Sequence, residues 1–482
     1  MAARVGAAAI DEEPPQERNC RRSRRGVALF RKFPTLLCVA LACSACASPR
    51  VRSASEPKAP IIAASGALPV AAGDRVVGAR LESKYDTESA RAMVDAFREQ
   101  AGTPLVAGNH VTLLVDGPQT LGAIRRAIEA ARHHVHVETY IFADDTVGRE
   151  FRDLLIRRRQ EGVEVRVLYD AIGSVDTPGD FFKVMLDAGV EVHEFRPLDP
   201  VRTPLAWKIN NRDHRKITIV DGRTAFTGGI NISSTYASSS RKRPGPEKGA
   251  EEAWRDTHVQ IDGPVAAQFQ SLFFETWTRA GGKVDAESAA YFPPQPVVGP
   301  ELVAAVATSG DDNSEATIYG TFDATIRHAS RRLWVTQAYF APNAELRKLL
   351  IAAARRGVDV RLIVPGFTDS ALIFHASRSS YEELLAGGVR IHEQRQALLH
   401  AKTLVADTAL SMVGSANFDM RSFVHNNEVN AVIIGSDFAR RMEQLFERDL
   451  TDARELQLDS WRKRPWLDKF KEFGSSLFSY WL

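Results

Sequence analysis

The 482-residue chain carries 62 Lys and Arg against 60 Asp and Glu, a formal net charge of +2. It therefore lacks the basic excess by which nucleic acid is usually held. Its 44% hydrophobic and 25% charged content is that of a globular protein, long enough for two domains with separate cores. All four cysteines, Cys20, Cys38, Cys43 and Cys46, fall at the start of the chain, which excludes a disulfide or a thiolate metal site from the body.

The N-terminus reads as an address. A polar, Arg-rich stretch ends in Arg31-Lys32, an apolar run follows over residues 33–47, and Ser48-Pro49 opens a Ser/Ala/Pro-rich tract. Basic, apolar and small-residue regions in that order predict a secretory signal. The apolar run is about 15 residues long, short of the ~20 needed to cross a bilayer. Cys43 or Cys46, each preceded by small residues, suits lipoprotein processing, and Ala45-Cys46-Ala47 suits ordinary cleavage. Residues 1–75 are expected to be this leader and a disordered linker.

From Gly108 onward, strands alternate with amphipathic helices, and then the series starts again. Segment 134–142 corresponds to 332–340, 162–170 to 357–365, and 188–195 to 387–394. Helices are predicted over 118–132 and 344–356, with Arg on the outer face. Alternation of this kind with β-branched runs predicts α/β units whose sheets are covered on both sides. A period near 190 residues is a domain duplication. The expected domains are 76–283 and 315–455, joined by a Pro-rich linker at 284–314. Residues 238–252, rich in Ser, Gly, Lys and Glu, predict a mobile surface loop in the first domain.

Each half contains the same motif. His214-x-Lys216 is followed after four residues by Asp221, then by Gly228-Gly229-x-Asn231; His400-x-Lys402 is followed by Asp407 and Gly414-Ser415-x-Asn417. Five residue types at fixed offsets, found twice, are not coincidence. The spacing predicts two short strands with a turn at the aspartate, His and Lys pointing the same way.

If the two half-sites meet, His214, Lys216, Asn231, His400, Lys402 and Asn417 share one pocket. Two ammonium groups and two amides around a point suit a phosphodiester and its five-coordinate transition state. One imidazole can attack phosphorus to form a phosphohistidine while the other moves the proton. An attacking histidine gains from a carboxylate behind its other nitrogen, and Asp256 and Glu428 are the candidates. His193, His392 and His425 lie near the motifs, but no metal-ligand spacing accompanies them and the lysines oppose a bound cation. Neither a metal nor another cofactor is expected.

In the C-terminal segment 456–482, Trp466, Leu467, Phe470, Phe473, Leu477, Phe478 and Trp481 fall on one helical stripe with Lys469, Lys471 and Glu472 off it. Such a stripe suits either a lipid interface or packing against the body.

These residues resemble the duplicated motifs of the phospholipase D superfamily, and within it the cardiolipin synthase branch. The supporting text includes NRDHRKITIVDGRTAFTGGIN, WRDTHVQIDG, LLHAKTLVAD and GSANFDMRSF, over roughly residues 108–450. The resemblance implies two fused phospholipase D-like α/β domains sharing one active site without metal. It implies catalytic roles for His214, Lys216, Asp221, His400, Lys402 and Asp407. It also implies a phosphatidyltransferase at a bacterial membrane, and the leader pattern adds the expectation of export, with the protein lipid-anchored or peripheral on the periplasmic side. Phosphatidylglycerol and other anionic lipids would be its partners, and nucleic acid would not. A phospholipase D passing the phosphatidyl group to water or another alcohol is the alternative, and a nuclease of the superfamily the second. The chain departs from the family in having one short apolar segment where two membrane-spanning helices are usual. It also has Thr336-Gln337-Ala338-Tyr339-Phe340 for Thr-Pro-Tyr-Phe, and Asn427 for a phenylalanine.

Overall fold

Burial of the β-branched runs organises the body into one sheet built from two equivalent series of strands. The computed structural model describes residues 49, 52, 57–81, 87–198, 210–240, 253–285, 288–310, 315–368 and 370–481. The expected signal at 33–47 and most of the expected loop at 238–252 lie outside these residues.

In the first half the strands run, side by side, Leu105–Val115, Thr257–Asp262, Thr224–Gly228, Ile217–Val220, His134–Thr139, Glu164–Asp170 and Glu191–Phe195. In the second half Glu301–Thr308, Glu428–Ile434, Leu410–Gly414, Lys402–Ala406, Arg332–Gln337, Asp359–Pro365 and Arg390–Gln394 repeat that order. The first five of each series pair antiparallel and the outer ones parallel, with helices as crossovers. The duplication read from the sequence is thus a duplication of topology.

Two boundaries differ from the expected ones. The stretch 284–314 holds the strand Glu301–Thr308, because its Leu-Val-Ala-Ala-Val run is apolar on both faces, as a central strand must be. That strand pairs with Glu428–Ile434 on one edge and with Leu105–Val115 on the other, fusing the halves into one sheet. Within 1–75, Ile61–Ala63 is a strand beside Leu105–Val115, and Val70–Gly78 is a helix. Together with the helix Thr87–Ala101 this stretch packs into the second half: Ile61, Met93 and Phe97 share a core with Ile318 and Phe322. Of its small residues Ala59 and Gly73 are buried in that layer, whereas Ala64, Ser65, Gly66 and Ala67 stay exposed.

A second core lies under both halves. Phe269 and Phe273 from helix Ala266–Arg279 meet Phe438, Met442 and Phe446 from helix Ser436–Leu450 across Val106 and Val303. The described residues of 48–482 accordingly form one compact unit. The sharp turns after the motif strands are left-handed, at Asp221 and Gly222 (φ 54° and 60°) and at Asp407 and Thr408 (φ 52° and 57°). Glycine takes that conformation freely. Thr408 does not, and its hydroxyl is pinned by donating to Glu443 at 2.7 Å.

The C-terminal helix Trp466–Ser476 turns its polar face inward. Glu472 is buried against Arg464 at 2.6 Å, and the preceding Trp461 lies under the guanidinium groups of Arg378 and Arg464. The aromatic stripe is left outside, with Trp466, Phe470 and Phe473 exposed to 76%, 66% and 63%.

Candidate active site

Each motif histidine enters the site on a backbone that pairs with the other half. The amide of His214 donates to the carbonyl of Asn427 at 3.0 Å, and the amide of His400 to that of Arg255 at 2.8 Å. The residue after each accepting carbonyl is a carboxylate. Nδ1 of His214 therefore meets Glu428 at 3.0 and 3.1 Å, and Nδ1 of His400 meets Asp256 at 2.8 Å. The supports are exchanged: a first-half histidine leans on a second-half carboxylate, and the reverse. With Nδ1 engaged, Nε2 of each ring is left for chemistry.

Both rings line one cavity of about 260 Å³, with Asn231, Asn417, Tyr140 and Tyr339 among its walls. Tyr140 stands edge-on to His214, with ring centres 5.0 Å apart. Asn231 is fixed by accepting from the amide of Ile141 and donating to the hydroxyl of Tyr236 at 2.8 Å. Asn417 has a buried side-chain oxygen that meets no donor among the described residues. Beneath the rings, Lys216 and Lys402 reach back to the carbonyls of His214 and His400 at 2.7 and 2.6 Å. Both lysines are buried.

Burial and like charge set the proton affinities. Burial, with Lys216 and Lys402 nearby, pushes His214 well below its ordinary value. His400 is lowered by burial and Lys402, against the pull of Asp256. Lys216 is lowered by burial to about 7, although Glu428 favours its charge. The carboxylates go opposite ways: burial raises Glu428, whereas His400 and Lys402 hold Asp256 below its ordinary value despite burial. Both imidazoles are thus shifted toward the neutral form, and of the two only His400 has an ionised carboxylate pulling the other way.

Asp221 and Asp407 stand apart from this chemistry, at the far ends of the motif strands. Asp221 accepts from the amides of Arg132, His133 and His134 at 2.7–3.1 Å. Asp407 accepts from those of Ser330, Arg331 and Arg332 at 2.8 Å. Each pins the start of the neighbouring strand to the motif hairpin. The catalytic part expected of them does not match this placement, because the turn carries their side chains away from the cavity. His193 packs on Trp277 and His425 stacks on Trp481; neither they nor His392 line the cavity.

The family model described as "Cardiolipin synthase, PLD-like domain" matches residues 124–242 and 322–450, one match around each motif. Cardiolipin synthase 1 of Bacillus cereus is 34% identical over 381 residues, 77% of this chain and 72% of that protein. The chain belongs to the cardiolipin synthase family. Other family members with similar coverage are the cardiolipin synthases of Geobacillus kaustophilus, 34% identical over 78% of this chain and 73% of that one, and of Halalkalibacterium halodurans, 32% identical over 79% and 73%. The crystal structure of phosphatidylserine synthase from Haemophilus influenzae superposes with a TM-score of 0.61 at 14% identity, covering 81% of this chain and all of that one. That likeness is one of fold.

Sequence reasoning missed the residues that hold Glu428. Ser415 and Ser422 donate to its two oxygens at 2.5 and 2.9 Å, and Asn426 donates at 3.3 Å. The first half has Gly229 and Tyr236 at the offsets of Ser415 and Ser422, and a side chain at Gly229 would meet Asp256 at 2.2 Å. A residue-by-residue comparison of GGIN with GSAN carried that signal.

Proposed function

We propose that this chain, a phosphatidyltransferase by family, condenses two phosphatidylglycerols into cardiolipin and glycerol through a phosphohistidine. The observation that carries the reading is the pair of histidines facing one cavity, each backed by a carboxylate at 3.0 Å or less. His214, neutral by burial, attacks phosphorus through Nε2. The bond to the glycerol oxygen breaks, and that oxygen takes the proton of His400, whose charged form Asp256 favours. A hydroxyl of the second phosphatidylglycerol then gives its proton to His400 and attacks phosphorus, and the bond to His214 breaks. Lys216 and Lys402 with Asn231 and Asn417 stabilise the charge gathered in both transition states.

Pure phosphatidylglycerol vesicles should give cardiolipin and glycerol in near-equal amounts, and added glycerol should slow net synthesis. Phosphatidic acid as the main product at high lipid density would make the enzyme a hydrolase.

The membrane surface is the proposed place of work. Among the described residues no helix is long and apolar enough to cross a bilayer. The outward stripe of the C-terminal helix, flanked by Lys469 and Lys471, suits an anionic lipid interface, and the leader pattern at 33–47 suits export. Exchange of Phe470, Phe473 and Phe478 for Ser should release the protein from anionic vesicles with its melting temperature nearly unchanged. A triple variant that unfolds instead would make the stripe core.

A further inference from the structure

One cation in the cavity has no counterpart across the pseudo-twofold axis. Arg421 lies four residues past Asn417, in the single wide turn Arg421–His425, and lines the cavity with both histidines. Turns of this geometry recur at functional sites. The matching offset from Asn231 is Thr235, an exposed residue outside the cavity lining. The Nε of Arg421 is buried with no acceptor, and among the described residues its guanidinium forms no hydrogen bond or ion pair. The fully buried arginines near the site are tied down: Arg212 to Asp170 at 3.0 Å, Arg255 to Asp449 at 2.6 Å. Arg421 is half-buried and, unlike them, has no carboxylate hydrogen-bonded to it among the described residues.

Charge counting says what it awaits. The reacting diester carries one negative charge and its five-coordinate state two, which Lys216 and Lys402 face. Asp419, the carboxylate that shares the cavity wall with Arg421, is pushed by burial up to about 7, so it does not fully offset the guanidinium at neutral pH and Arg421 stands as a third cation. Water, glycerol and simple alcohols bring no charge. An acceptor phosphatidylglycerol brings one, on a phosphate a glycerol's length from the attacking hydroxyl. Resting on the reading above, we infer that Arg421 seats the phosphate of the acceptor lipid and so favours a phospholipid over water as acceptor. It is a specificity residue: it orients the hydroxyl whose proton passes to His400 as the oxygen–phosphorus bond forms. A bidentate guanidinium–phosphate pair fixes direction as well as position.

The test compares acceptors within one reaction. The full chain in phosphatidylglycerol vesicles with added ethanol yields cardiolipin, phosphatidic acid and phosphatidylethanol from the same phosphoenzyme. Arg421→Gln should cut cardiolipin formation by about 10- to 100-fold, the range for a lost charged hydrogen bond. The two other products should stay within about threefold of wild type, since neither uses the acceptor seat. Arg421→Lys should fall between. If all three products drop together, Arg421 grips the donor or holds the fold, and the inference is wrong; an unchanged product ratio also overturns it. Should the Gln variant fail to fold, the Lys variant carries the same comparison. A wild type that makes no cardiolipin overturns the proposed function as well, whereas a variant with the wild-type ratio overturns this inference alone.

Discussion

The two halves repeat the same seven strands, yet the supports behind their histidines are built differently. Glu428, behind His214, is gripped by three side chains, Ser415, Ser422 and Asn426, and burial raises its proton affinity. Among the described residues Asp256, behind His400, accepts only the amide of Thr257 at 2.7 Å besides the imidazole, with Gly229 leaving it room. Its charge is sustained mainly by His400 and Lys402. A carboxylate held by neutral hydroxyls fixes a ring in place, whereas one left to face the imidazole alone favours its protonation. Duplication supplied two equal histidines, and the carboxylates' surroundings separate a nucleophile from an acid.

The largest effect should come from the histidines themselves. His214→Ala and His400→Ala should each lower turnover by roughly 10⁴-fold or more, because the two act as a unit. Phosphatidylglycerol labelled on phosphorus should leave label on His214 in rapidly quenched protein, and label on His400 would reverse the assigned roles.

The carboxylates come next. Glu428→Gln and Asp256→Asn should each cost roughly 10³-fold in kcat by analogy with other histidine-orienting carboxylates. Their pH profiles should differ. Removing Asp256 lowers the proton affinity of His400, so activity, which needs the protonated acid, should be lost at lower pH. The same limb should stay put in Glu428→Gln. Identical shifts in both variants would abolish the distinction between the supports.

Lys216 offers a sharper probe of the cavity. Burial lowers it to about 7, and an anion binds its charged form, so affinity for inorganic tungstate should be full below that pH. Above it the affinity should fall by up to about tenfold per unit, since a proton must be taken up on binding. Isothermal titration across the range measures this, and a flat profile would exclude a lowered Lys216.

The smallest catalytic effect should follow from Asp221→Asn and Asp407→Asn. Each loses charge from a carboxylate that caps backbone amides, so stability should fall by about 1–3 kcal/mol. The kcat of the folded fraction should stay within about threefold. A large kcat loss at unchanged melting temperature would return these residues to the chemistry.

The repeat, the motif hairpins and the identity of the histidines, lysines and asparagines were legible in the chain, because those features are local. Strand alternation, a turn at an aspartate and a His-x-Lys spacing are set within a few residues and appear twice. The linker reading failed at Glu301–Thr308 because a short apolar run does not say that its two edges belong to different halves. Asp256 and Glu428 were visible as candidates, but not their exchange, since pairing His214 with Asn427 and His400 with Arg255 is a decision between segments more than 140 residues apart. The same holds for Arg421, one Arg among many in the sequence, whose place on the cavity wall without a hydrogen-bonded carboxylate among the described residues is set by the packing around it. Local chemistry was thus determined by the sequence alone, whereas long-range packing chose which carboxylate serves which ring and set one arginine on the cavity wall of the second half alone.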